Sequence, residues 1–207
     1  MERPVTYILN NSQVIRSKPS HFKVSKSEKL KSNKSKFSMC TKFSQRIKHE
    51  IIRKIWDEKA KKMKAPYVIY PNRSRRPTGH NLFMSRNLQL FNEKALYVDQ
   101  ERLILTTGHR TRVDDFKAER DSGNKEMINV SFKDNSHMRI SINKDFLCIV
   151  AAIENDIYFF NLPEITRELG GGTFHFPKAA NQKTRLWAYF ESPDGKRFSE
   201  SRTVIVI

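Results

Sequence analysis

The 207-residue chain has few of the residues that would settle its class at a glance. Its two cysteines, Cys40 and Cys148, give neither a disulfide framework nor a metal-ligand set. The opening MERPVTYILNNSQVIRSKPS lacks a basic stretch followed by a long apolar run and a small-residue cleavage site, so no secretory signal is expected. No apolar run approaches the length of a membrane span. A reducing setting follows, cytoplasmic or virion-associated, with no membrane partner. What the chain has in quantity is aromatic residues, 11% with 14 Phe, enough for a packed core and against wholesale disorder.

Acidic residues are scarce in one region only. Residues 1–76 hold 21 Lys and Arg against 5 Asp and Glu, while the remainder holds 18 against 17, so almost all of the formal +17 lies in front. Self-repulsion of such a surplus opposes compaction, and the imbalance is best read as a surface facing a polyanion or an acidic partner. The bland alternative is a solvated helix face.

Along the chain, Val5 to Leu9 and Gln13 to Arg16 are β-prone runs around Asn10-Asn11-Ser12, which suits a small hairpin. A long helix is predicted from about Ser25, where Ser25 and Glu28 fit a capping box, to a stop at or before Ala65 imposed by Pro66. Phe37, Cys40, Phe43, Ile47, Ile51 and Ile55 recur at steps of three and four on its apolar stripe, with Trp56 just off the seam as a packing anchor. A second helix is predicted from about Asn81 to Phe91. From about Ala95 the period becomes two, with strands expected near residues 102–106, 127–132, 138–142, 146–153, 157–160, 173–176, 185–191 and 197–207. Ser192-Pro193-Asp194-Gly195 should join the last two in a hairpin. Residues 113–125 read as too polar for a core strand, hence a mobile loop. The expected fold class is α+β: a basic hairpin and helical segment over 1–94, then an antiparallel immunoglobulin or fibronectin type III-like sandwich over 95–207.

No catalytic constellation is recognisable. The six histidines, at 21, 49, 80, 109, 137 and 175, show no metal-ligand spacing, so neither metal nor cofactor is expected. Asp114-Asp115 reads as a solvated turn. Gly170-Gly171-Gly172 leads into a strand instead of a helix N-terminus and reads as a flexible connection, not a phosphate cradle. The cations are the remaining candidates. Lys29, Lys36, Lys42, Arg46, Arg53, Lys54, Lys61 and Lys62 of the helical region, with the forked donors of Arg73, Arg75 and Arg76 in the loop after it, are the expected nucleic-acid-binding set.

Val14-Ile15-Arg16-Ser17-Lys18-Pro19, Lys34-Ser35-Lys36-Phe37, Trp56, then Gly79, Asn81, Phe83 and Asn87, and more loosely Ala188 to Lys196, resemble an uncharacterised family found mostly in Bacteroidetes, domain of unknown function 6266. The resemblance implies a helix-plus-sandwich module with no assigned activity and no catalytic or ligand residues. The expected function is non-enzymatic: a binding or assembly protein whose basic segment contacts nucleic acid, or a structural component of a larger, for example phage-derived, particle docking on an acidic protein surface.

Overall fold

The computed structural model describes residues 5–9, 12–16, 28–47, 50–63, 77–92, 102–135, 137, 142–154 and 156–207, with side chains from Leu30 onward. By contacts the chain divides into Met1–Asn33 and Lys34–Ile207. The first unit contains the expected hairpin, β1 (Val5–Leu9) paired antiparallel with β2 (Ser12–Arg16), Leu9 opposite Ser12. It also contains the first residues of α1 (Glu28–Arg46). Ser25, proposed as that helix's cap, lies outside the described residues.

Among the described residues, the second unit is built on seven antiparallel strands in two sheets. One sheet has the order β3 (Asp114–Arg120), β4 (Met127–Lys133), β7 (Gly171–His175); the other runs β6 (Asp156–Thr166), β5 (Phe146–Ile153), β8 (Thr184–Glu191), β9 (Arg202–Val206). Side chains alternate across a strand, so each central strand has two faces to bury. Leu147, Ile149 and Ala151 of β5 with Leu186, Ala188 and Phe190 of β8 meet Ile128, Val130, Phe132 and Phe174 of the smaller sheet in one core. The intervening residues, Cys148, Val150 and Ala152 with Trp187 and Tyr189, form a second core with the helices. Both strands therefore read as almost continuous apolar runs, as strands covered on two sides do.

The helices pack on the outer face of the four-stranded sheet, across the boundary expected near residue 94, and from Lys34 onward they share one compact unit with it. The single long helix is corrected. It is two helices, α1 and α2 (Glu50–Lys62), and the interruption after Arg46 shifts the buried seam by one residue. Cys40, Phe43 and Ile47 are buried before it; Ile52, Ile55 and Trp56 after it, with Ile51 only half-buried. Trp56 thus lies in the seam of α2, its Nε1 donating to the Leu105 carbonyl at 2.7 Å and its ring meeting Phe83 edge-on at 5.6 Å. Phe37, expected in the stripe, is 53% exposed. The second helix is observed as α3 (Gly79–Asn87), capped by Thr78, and continues as a 3-10 turn over Leu88–Leu90.

Two further expectations change for one reason: backbone groups find partners that hydropathy does not announce. Residues 114–120, read as part of a mobile loop, form the edge strand β3. A register shift between Asp114 and Lys117 and a positive φ at Asp115 mark its irregular start. An edge strand buries little and can be polar. The reverse holds at 102–106, where a strand was expected. Here Asn87, fully buried, accepts from Ile104 N–H and donates to its carbonyl, Ser201 Oγ accepts from Leu105 N–H, and Thr106 Oγ1 donates to Ser199 O. Side chains replace a neighbouring strand. Of the Gly170–Gly172 run, Gly171 and Gly172 belong to β7, opposite Ser131 and Val130, while Gly170, at φ 67°, ends the 3-10 turn Arg167–Leu169. Most of the strand expected at 138–142 lies outside the described residues.

Candidate functional site

The expected cations are distributed unevenly. Lys42, Arg46, Arg53, Lys54, Lys61 and Lys62 are exposed on α1 and α2, and Lys36 is half-exposed. Arg53 is engaged by Asp57 one turn on (3.6 Å). Lys54 faces the buried Glu191 closely enough to oppose the rise that burial imposes on that carboxyl. Lys29 lies in α1, its side chain outside the described set, and Arg73, Arg75 and Arg76 lie outside the described residues altogether. Lys59, Lys61 and Lys62 fill the last turn of α2, where cations also complement the partial negative charge of the helix end.

At that helix end the fold makes a cleft of about 350 Å³. Ile55, Glu58, Lys59 and Lys62 of α2 form one wall; Thr107 to Arg110 form the second; Lys196, Arg197 and Phe198 form the third. Two of these walls are rigid for identifiable reasons. Gly195 takes φ 64°, its N–H bonds Ser192 O at 2.8 Å, and Ser192 Oγ accepts from Arg197 N–H at 2.9 Å, so the turn read from the sequence holds Lys196 and Arg197 in place. Asp194, in the same turn, is kept below the usual carboxylate range, first by the Ser192 hydroxyl and the Lys196 N–H, and also by the two neighbouring cations. The Thr107–Arg110 segment is laced to the hairpin by Arg110 N–H donating to Phe198 O at 3.1 Å. Gly108 allows that approach, since a Cβ there would sit 1.7 Å from the Phe198 carbonyl oxygen.

Arg110 joins the cleft to the interior. Its side chain is only 8% exposed, and its Nε lies 3.5 Å from Asp145 Oδ2. The same oxygen receives Nε of Arg167 at 3.1 Å; both Asp145 and Arg167 are fully buried. Arg167 also donates to Asn135 Oδ1 and, at 2.6 Å, to Thr111 O, and its guanidinium lies 3.8 Å from the centre of the Phe190 ring. Burial pulls the Arg167 pKa down and Asp145 opposes this. A guanidinium tethered by a buried carboxylate is held in a fixed place, which lowers the entropy lost when it meets an anion.

Of the expected set, the cleft gathers Lys62 alone among the described residues. His109, Arg110, Lys196 and Arg197 were not singled out in the sequence. Lys196 and Arg197 follow directly on the recognised turn and could have been found there; Arg110 depends on long-range packing. A second pocket, of about 500 Å³, has Ile47, Ile52, Trp56 and Phe83 in its lining and brings Ser44 Oγ to 3.2 Å from His80 Nδ1. The carboxylate in that pocket, Asp57, is engaged by Arg53. Among the described residues no group of three His, Cys, Asp or Glu could hold a metal, and no helix is long and apolar enough to cross a membrane. No family model matches the chain, and no curated protein matches it.

Proposed function

We propose that this is a non-enzymatic binding or assembly protein that contacts a polyanion, nucleic acid being the favoured class, through the cations of α1 and α2 and the cleft at the end of α2. One observation carries the reading: Lys59, Lys62, Lys196 and Arg197, from separate segments, converge with the tethered Arg110 around a single cleft. Phosphate oxygens are the acceptors such forked and ammonium donors match. The sandwich is the platform, and its strand order supports a fibronectin type III-like arrangement, in which the fourth strand joins the sheet of the third, sixth and seventh.

Residues behind the resemblance to the uncharacterised Bacteroidetes family support the scaffold part of this reading. Trp56 packs on Phe83, Asn87 ties α3 to Ile104, and Gly79 lies so close to the Trp56–Asp57 backbone that a Cβ would come within 2.6 Å of Asp57 N. These contacts join α2 to α3 and α3 to the segment around Ile104.

The test is binding of single- and double-stranded oligonucleotides to the full chain across a salt series. Neutralising several phosphates predicts a linear fall of log affinity with log salt, at a slope of about −0.7 to −0.9 per phosphate. Lys42→Glu with Arg46→Glu should weaken binding to all sequences alike. Affinity that ignores salt would overturn the reading. Residues 95–207 alone are unsuitable, because that fragment would expose Val150, Trp187 and Tyr189.

The rival reading, a structural component of a larger particle docking on an acidic protein surface, is favoured by the exposed Phe37 and Met63, 53% and 41% accessible among the lysines of α1 and the end of α2. Protein interfaces use such apolar contacts; phosphate contacts do not. Retained nucleic-acid affinity in Phe37→Ser with Met63→Ser would count against it.

A further inference from the structure

The geometry points to the cleft as a site for one phosphorylated nucleoside unit, either the phosphate-bearing end of a strand or a free nucleotide. This inference rests on the polyanion reading and goes further, because a concave site and an exposed basic flank recognise different things. A flank on a helix can lie along many internal phosphates of a backbone. A cleft of about 350 Å³, at the lower end of small-ligand pockets, admits one unit and excludes a duplex.

Three features of the lining select that unit. Lys59 and Lys62 stand three residues apart, on one side of α2, and line the same cleft as Lys196 and Arg197, so cations from two separate segments are brought to one concave site. Such an arrangement suits a terminal phosphate, which carries more charge and more free oxygens than an internal diester. Arg110 is nine-tenths buried and held by Asp145, which makes it a prepositioned part of the wall and not a mobile surface chain. Glu58 is the third feature. Like Asp194 beside Lys196 and Arg197, it is a carboxylate among cations, and it can accept hydrogen bonds from the hydroxyls of a sugar.

The experiment compares the full chain's affinity for one single-stranded oligonucleotide carrying a 5′-phosphate, a 3′-phosphate or only hydroxyl ends. Adenosine monophosphate, with adenosine as control, serves as competitor and as a directly titrated ligand. A terminal phosphate engaged by charge-assisted bonds is expected to raise affinity about tenfold. Lys196→Ala with Arg197→Ala should abolish that increment, so that the phosphate-ended strands bind no more tightly than the hydroxyl-ended one. Lys42→Glu with Arg46→Glu should do the reverse, lowering both strands together and preserving the increment. Competition by the nucleotide assigns the free-ligand source; an increment without competition assigns the strand end, and both support the site. Equal affinity for all three strands with no nucleotide binding would overturn it, even with salt-dependent polyanion binding intact. Failure of the polyanion reading is separately visible as loss of every strand's affinity at low salt.

Discussion

Arg167 and Lys62 carry the same charge in opposite circumstances, and the fold treats them differently. Arg167 is wholly buried, and its donors reach Asp145, Asn135 and the Thr111 carbonyl. Lys62 is exposed at the rim of a cleft that contains three further Lys or Arg residues besides Arg110, and one carboxylate, Glu58. A buried cation must be compensated within the protein, since taking it out of water costs several kcal/mol. An exposed one need not be, because water and salt screen it. Arg110 stands between the two regions, anchored on the first and facing the second. The first region is compensated by the buried Asp145, whereas the cleft's cations have the accessible carboxylates Asp194 and Glu58 beside them among the described residues.

The strongest way to break this contrast is Asp145→Ala, which leaves Arg167 buried without its carboxylate. A loss of about 3–5 kcal/mol is expected, read by chemical denaturation. A loss no larger than a surface substitution's would mean that the cluster is not the anchor described. Gly108→Ala follows in size. Its Cβ would collide with the Phe198 carbonyl, so the cleft's second wall must move away from the hairpin, at about 1–3 kcal/mol.

Glu191 tests the middle ground, a buried carboxyl facing an exposed lysine. Burial holds its pKa above the ordinary value, while the Cys148 thiol and then the Lys54 charge pull it down. A raised folded pKa contributes stability that is full below the unfolded value and is lost as pH rises through the folded one. Glu191→Gln should therefore remove a decline in stability from acid towards neutral pH, seen as a flatter profile of thermal midpoints. A steeper profile would reverse the assigned sign. The smallest stability effect belongs to Lys196→Ala with Arg197→Ala, within about 0.5 kcal/mol for each, because both are exposed. A larger loss would place them with the structural cations.

The parts of the fold legible in the sequence were those with local causes. The Ser192–Gly195 turn followed from Pro, Asp and Gly chemistry, and β5 from an apolar run of strand length. The break between α1 and α2 was not legible, because the stripe through Phe43, Ile47, Ile51 and Ile55 keeps helical spacing across it; only docking on a sheet shows that Ile52 and Trp56 take over. β3 was hidden for the opposite reason, since an edge strand such as DDFKAER needs little apolar content. The charge excess was plain, but the cleft combines residues nearly 140 positions apart. Its α2 wall was legible through Lys62, and its hairpin wall had a local sign in the two cations directly after a recognised turn.

The most direct measurement is the thermal midpoint of the full chain with and without a single-stranded oligonucleotide, from low to high salt. A ligand that binds only the folded state raises the midpoint. If the exposed cations face a polyanion, the rise should be largest at low salt and vanish as salt increases. An unchanged midpoint at low salt, with saturating oligonucleotide, would contradict the account.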